Sequence, residues 1–389
     1  MATPEKSAYT QVNMGSFFIA AAIPLFFIAI GIELWVAHRR GLRLYRFEDT
    51  VTDLACGVSS QISAVFFQPF LLAAMASLFS QFSIWQFDAN SIATWFIAFI
   101  GVDFAYYWWH RLSHEVNFLW AAHVVHHQSE EYNLSVALRQ AFFTQFTSFP
   151  FYAPLALIGI PPSVLGITVA LSTLYQFWIH TELVDRLPRF EVLFNAPMHH
   201  RVHHAINPKY LDKNYAATLI IWDKLFGTYI EETEQPVYGT VKPIQKYDAI
   251  WANLEVWASL WSRAKKAPTL TEGIRLFLMK PEWTLSNEPA HHAPEVSRNT
   301  FKKYDKPVSR KIALWIAAQM ALASLVLVYL LAHPELDSPI KWGAGLLVLW
   351  TLFDFAGRIE QRKWTPMSEA LRWTVIGIAL LQLASSFVG

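Results

Sequence analysis

Apolar runs of about twenty residues recur along this chain, and a helix needs that length to cross ~30 Å of hydrocarbon. They fall at about 15–37, 57–81, 92–110, 142–160, 162–180, 311–332, 340–357 and 370–388. Backbone N–H and C=O groups in lipid must pair within their own segment, so these runs predict helices. Composition agrees: only 16% of the 389 residues are charged while 54% are hydrophobic, too little charge to clothe a soluble surface. The expected class is an all-α, polytopic integral membrane protein.

The first run, about Phe17 to Ala37, is too long for a signal-peptide core and lacks a small-residue cleavage site. "HRRGLRLYR" follows it as a positively charged stop, so it is read as a retained anchor. The fourth and fifth runs are parted only by "IGIPPS", a tight Gly-Pro reversal that predicts a hairpin, open to an incomplete crossing. Cys56 is the single cysteine and reads as a small buried hydrophobe, so disulfides do not hold this fold. A net charge of +1 gives no reason to expect a nucleic-acid partner.

Basic residues set the expected orientation. If the 38–49 loop is cytoplasmic and the spans alternate, Arg39, Arg40, Arg43, Arg46, Arg358, Arg362, Lys363 and Arg372 all lie inside. The opposite side receives Lys6 and Lys341, a clear positive-inside bias. Between 181 and 310 the chain turns polar. Within that stretch Tyr247, Ile250, Trp251, Leu254, Trp257, Leu260 and Trp261 recur at three- and four-residue spacing. That stripe predicts a helix lying on the membrane surface or packed on the cytosolic part. The expected division is N-terminal spans over 1–91, a catalytic region over 92–250, a cytosolic or interfacial segment over 251–310 and C-terminal spans over 311–389.

Ten of the 14 histidines fall between 110 and 204. "HRLSH" puts His110 and His114 four apart, on one face of a helix leaving the third span. "HVVHH" puts His123, His126 and His127 at i, i+3 and i+4, and "HRVHH" repeats this at His200, His203 and His204. His199 directly precedes that box, and His180 closes the fifth span. On the assigned topology all ten converge in one layer at the cytoplasmic surface, a histidine-rich cap. One metal takes about four to six ligands, so the set suggests two ions. Imidazole suits iron, zinc, copper and nickel alike, so the donors leave the metal open. Adjacent His-His pairs fit haem ligation poorly, and the His-Glu-x-x-His of zinc proteases is absent. His38, His291, His292 and His333 read as ordinary polar residues.

An H-x3-H box followed by two H-x2-H-H boxes among membrane spans resembles the fatty acid hydroxylase/sterol desaturase superfamily. Within it, "YYWWHRLSHEVNFLWAAHVVHHQSEEYNLSVALRQ", "LYQFWIHTELV" and "NAPMHHRVHHAINPKYLDKNYAATLIIWDKLFGTY" are most similar to the alkylglycerol monooxygenase branch. The similarity covers roughly 95–250. It implies a di-iron centre ligated by His110, His114, His123, His126, His127, His200, His203 and His204, with His180 and His199 as further candidates. Glu115 matches a glutamate associated with activity there; it could orient an imidazole N–H or relay protons, or be a helix-surface carboxylate. Asp103 lies on the stripe of Tyr107, His110 and His114, and an acid at that depth is usually functional or paired. Asp212, Asn214, Trp222 and Asp223 match the resemblance without an assigned role.

An unactivated alkyl C–H bond yields to a redox metal that activates O2, not to ordinary acids or bases. The resemblance therefore implies a membrane-bound di-iron lipid monooxygenase. It would hydroxylate the carbon beside the ether oxygen of an alkylglycerol to release a fatty aldehyde. A fatty-acyl or sterol hydroxylase or desaturase with the same iron site is the near alternative. Tetrahydrobiopterin supplies the electrons in the resembled branch. The chain has no GxGxxG fingerprint and no cysteine set for an iron–sulfur cluster, so its reductant is expected to be external. The expected setting is the bacterial inner membrane, or the endoplasmic reticulum in a eukaryote, with the site on the cytoplasmic face. A metal transporter would instead place acidic or His residues deep in several spans, and such residues are few here.

Overall fold

The computed structural model describes the backbone of residues 14–290 and 293–388, with side chains over 21–290 and 293–382. Lys6, His291 and His292 lie outside them. The described residues hold thirteen α-helices and no strand beyond isolated bridges. Five helices are long and apolar enough to span a membrane. These are α1 (Met14–Arg39), α2 (Phe47–Phe82), α3 (Ile92–Glu115), α11 (Arg310–Ala332) and α12 (Ser338–Ile359).

Two expectations about the spans need correction. The second run was expected to start near 57, yet α2 begins at Phe47 and continues for 36 residues, far more than a crossing needs. Its extra turns carry Glu48, Asp49 and Asp53, all buried, which disguised them as loop in a hydropathy reading. The fourth and fifth runs form α5 (Thr144–Ile158) and α6 (Pro162–Trp178), of 15 and 17 residues, and neither qualifies as a span. They are the expected hairpin. Gly159 turns it at φ +122°, where an added Cβ would lie 2.0 Å from the carbonyl oxygen of Trp85. The last run forms α13 (Thr365–Val388).

α4 (Asn117–His127) lies between α3 and the hairpin, and α7 (Pro197–His203), α8 (Ile221–Leu225), α9 (Ala249–Ala264) and α10 (Leu270–Leu278) lie between the hairpin and α11. α9 is the helix expected from the Trp-rich stripe, capped by Asp248, which accepts from Trp251 N at 2.8 Å. Its stripe is shared between two environments. Leu260 is buried and Trp257 packs on Phe118 and Phe143, while Leu254 and Trp261 stay exposed. α10 presents Leu270, Ile274 and Leu278 outward at four-residue spacing.

The bundle's main core joins both ends of the chain. Val51, Ala55 and Ile62 of α2 pack with Ile316, Met320 and Leu327 of α11 and with Leu352 and Phe355 of α12. The end of α1, the start of α2 and the ends of α3 and α12 share one side of the bundle, where α4 and α7 sit.

Candidate metal centre

Val116 breaks the helix after α3 in an extended conformation (φ −130°, ψ 118°), and α4 starts immediately. Asn117 pins that start: its backbone N donates to Met279 O at 2.8 Å and its Nδ2 to Leu276 O at 2.9 Å. The two helices then turn their histidines toward one another. Nine imidazoles form two groups whose nitrogens lie within 4.8 Å of each other in each group. His110, His114, His123, His127 and His203 make one; His126, His180, His200 and His204 make the other. All nine are buried.

The two H-x2-H-H boxes are used reciprocally. α4 gives its i, i+4 pair, His123 and His127, to the five-histidine group and the remaining His126 to the other. The second box gives its i, i+4 pair, His200 and His204, to the four-histidine group and His203 to the first. Neighbouring residues on one helix therefore point into adjacent groups, which holds the groups side by side.

Backbone carbonyls orient the rings. The Nδ1–H groups of His110, His126, His180 and His203 donate to Tyr215 O (2.7 Å), Arg139 O (3.0 Å), Gln176 O (2.8 Å) and Lys213 O (2.9 Å). That fixes each tautomer with the Nε2 lone pair free for the group's interior. Nε2 of His180 lies 3.0 Å from that of His200 and 3.3 Å from that of His126; Nε2 of His110, His114 and His203 has no partner. Lone pairs aimed at lone pairs, with no carboxylate between them, are the donor set of a cation. Burial pushes the α4 and α7 imidazoles below their usual range, His126 to about 4 and His203 to about 3. They are neutral, as ligation requires.

The loop supplying two of those carbonyls is itself held by acids. Asp103 accepts from Thr218 N at 2.8 Å, Leu219 N at 3.0 Å and Trp222 Nε1 at 2.9 Å. Asp223 accepts from Tyr215 N and Ala216 N, each at 2.8 Å, and from Thr228 Oγ1 at 2.7 Å. Asn214, in the left-handed region at φ 55°, donates to His199 O and Ile230 O. Asp103 thus touches no imidazole; it holds the same loop that carries the Tyr215 carbonyl bonded to His110.

The remaining candidates sit differently. His199, about 100° around the helix from His200, is in neither group; it accepts from Ala196 N at 3.3 Å and packs on Tyr229. Glu115 pairs with Arg111 at 3.1 Å, part-exposed, with no hydrogen bond to a boxed histidine. Sequence reading missed Arg139 and Glu33. Arg139 is buried and donates to Val125 O (2.6 Å), Asp53 (3.0 Å) and Gln128 (3.3 Å). Glu33, an acid buried inside α1, accepts from Leu134 N at 2.8 Å and from Tyr45 and Thr181. A charged residue within an apolar span was its signal.

A cavity of about 230 Å³ runs from the histidines into the helical bundle. His123, His126 and His180 line it, one from the five-histidine group and two from the other. Phe26, Phe177 and Leu327 also line it, and Gly57 allows the close approach of α2 to the Leu138 carbonyl, 2.3 Å from where a Cβ would stand.

Fold and site together define a helical integral membrane protein with a paired histidine site able to hold metal, opening on an apolar cavity. Residues 95–228 match the fatty acid hydroxylase family. Over 322 residues the chain is 36% identical to the alkylglycerol monooxygenase of Homo sapiens, covering 82% of this chain and 72% of that one. The Xenopus tropicalis enzyme is 34% identical over 374 residues, covering 95% and 83%. The Danio rerio enzyme is 40% identical over 284 residues, covering 72% and 63%. No solved structure matches the chain. The chain belongs to the alkylglycerol monooxygenase family of fatty acid hydroxylases, and is an oxygen-dependent lipid monooxygenase.

Proposed function

We propose that this enzyme holds two iron ions in its two histidine groups and cleaves O-alkylglycerol lipids at the carbon next to the ether oxygen. The observation that carries this reading is the interleaved set of nine buried imidazoles at the head of an apolar cavity. His110, His114, His123, His127 and His203 would hold one ion, and His126, His180, His200 and His204 the other. Iron bound there supplies the activation of O2 that an unactivated C–H bond demands.

The chain's own part is placement and exclusion. The four carbonyl-anchored imidazoles fix ligand orientation before any ion enters. The apolar walls seat an alkyl chain and keep water from the reacting carbon. Hydroxylation beside the ether oxygen gives a hemiacetal, which separates into a fatty aldehyde and a glycerol with no further catalytic group. The reaction consumes O2, two electrons and two protons and releases water. The electrons come from an external donor, and tetrahydrobiopterin is the one the family suggests. Basic residues at the histidine end of the bundle, Arg39, Arg40, Arg46 and Arg358 among them, favour that end as cytoplasmic.

The test is turnover of a chain-labelled O-alkylglycerol by purified protein, with and without tetrahydrobiopterin, alongside iron quantitation. Long-chain aldehyde with about two irons per chain is expected. A hydroxylated acyl chain or sterol in place of aldehyde would overturn the substrate assignment.

A further inference from the structure

The cavity that reaches the histidines contains hydroxyls with nothing to bond. Tyr106 of α3 and Tyr152 of α5 both line it and lie within electrostatic reach of each other. Neither hydroxyl has a hydrogen-bond partner among the described residues. Ser324 Oγ of α11 also lines the cavity without a partner, while several other polar groups there bond backbone. Gln140 donates to Ala137 O, Ser148 to Gln145 O, Thr173 to Val169 O and Gln176 to Ser172 O. A polar group left unmatched in an apolar enclosure is unfavourable unless a ligand completes it.

Tyr106 is also rigidly placed. It precedes His110 by one helical turn, and its ring meets the His110 ring at 5.1 Å and the Trp109 ring at 5.3 Å. Its ring therefore lines the cavity from a fixed base one turn below a histidine of the five-membered group. Of the imidazoles lining the cavity, His126 and His180 have their Nδ1–H groups tied to backbone, which leaves lone pairs on Nε2 and no donor for a ligand that itself only accepts.

We infer that Tyr106, with Tyr152 beside it, is the hydrogen-bond donor that recognises the ether oxygen of the substrate and so selects the carbon to be attacked. This rests on the ether-lipid reading above. An ether oxygen has lone pairs and no proton, so it needs a donor, and a phenol supplies one without bringing a charge into an apolar site. The carbon to be hydroxylated is bonded directly to that oxygen. Holding the oxygen at Tyr106 presents the neighbouring carbon, rather than one further along the chain, to the histidine end.

The experiment compares an O-alkylglycerol with its methylene isostere, in which CH2 replaces the ether oxygen, and with its thioether. Binding to the metal-free full chain in lipid nanodiscs is read by tryptophan fluorescence, Trp109 lying in the cavity wall. Wild type is expected to bind the ether about tenfold more tightly than the isostere, the scale of one hydrogen bond. Y106F, which keeps the ring and its packing, is expected to bind the two about equally, and Y152F to fall between. With metal and reductant present, Y106F should scatter oxidation over several chain carbons while wild type attacks one. A Y106F protein that keeps the full ether preference, or a wild type that shows none, overturns the proposal. Should Y106F fail to assemble, the thioether decides with wild type alone: sulfur accepts weakly, so thioether binding as tight as ether binding overturns it too. Failure of the ether-lipid reading looks different, as wild type would then release no aldehyde whatever the binding ratios.

Discussion

The rings of His127 and His204 stack 4.4 Å apart with 25° between their planes, although one belongs to the five-histidine group and the other to the four-histidine group. This contact makes the two groups mechanically one object. α4 and α7 each serve both, so a shift of either helix disturbs both groups.

Replacing His126 or His203 by Ala should therefore lower metal content to about one ion per chain or less while leaving membrane insertion intact. Each removes a ligand and also the Nδ1 contact that ties its helix to a loop, His126 to Arg139 O and His203 to Lys213 O. Oxidation is expected to fall by at least ~100-fold, the scale seen even when only the partners of metal ligands are lost. Metal analysis of purified variants checks this, and full turnover with two bound ions in either variant would count against these ligands.

Arg139 is the residue on which α4 closes. Its side chain reaches Val125 O on α4 and Asp53 on α2, both partners of the ion pair being almost wholly buried, while its own carbonyl receives His126. Removing one member of a buried pair strands the other charge. Arg139→Ala should lose about 3–5 kcal/mol of stability. Arg139→Lys keeps the charge but not the forked geometry, and should recover only part of it. Thermal unfolding in detergent orders the three proteins, and Arg139→Ala melting like wild type would remove the clamp from the account.

Acid should destabilise the metal-free protein over a definable window. Burial holds His126 at about 4 and His203 at about 3 in the folded chain, against about 6.5 once unfolded. Below pH 6.5 the unfolded chain takes up protons that the folded one refuses. Stability therefore falls as pH drops from 6.5 toward 4 and is unaffected by these groups above 6.5. Melting temperatures of metal-free protein across pH 4–8 should show that slope, and His126→Gln should make it shallower, with His203 still contributing. A flat wild-type profile would mean that these rings are not buried as neutral imidazoles.

Much of this was legible in the amino-acid sequence because it is written in local spacing. Apolar run length predicted α1, α3, α11 and α12, and i, i+3, i+4 spacing placed the eight boxed histidines on shared helix faces. His180 joined them only because topology brought the end of α6 to the same layer. What escaped was decided by distant partners. Asp53 and Arg139 are 86 positions apart, and nothing near either marks the other. Asp103 was legible as an acid that needs a partner, but its partners, Thr218, Leu219 and Trp222, lie in and just after a loop more than a hundred residues on. His199 misled for the opposite reason, being next to a box in sequence and turned away from it in space.

Asp103 offers the sharpest separation of the two groups. Its carboxylate accepts two backbone N–H donors from the loop whose Tyr215 carbonyl orients His110 and a third from Trp222 of α8, and it bonds to no ring of the four-histidine group. In Asp103→Asn one oxygen becomes an NH2, which must then face an N–H donor. The loop should loosen by about 1–3 kcal/mol, the penalty of a buried donor left unmatched. His110 then loses its fixed orientation, and affinity at the five-histidine group should fall ~10–100-fold. The four-histidine group, whose His126 and His180 are oriented through Arg139 and Gln176, should weaken less. A metal titration of the variant is thus expected to split into a tight and a weak step where wild type shows two tight ones. Equal weakening of both steps would mean that Asp103 supports the bundle as a whole, and no change would mean that the loop does not govern His110.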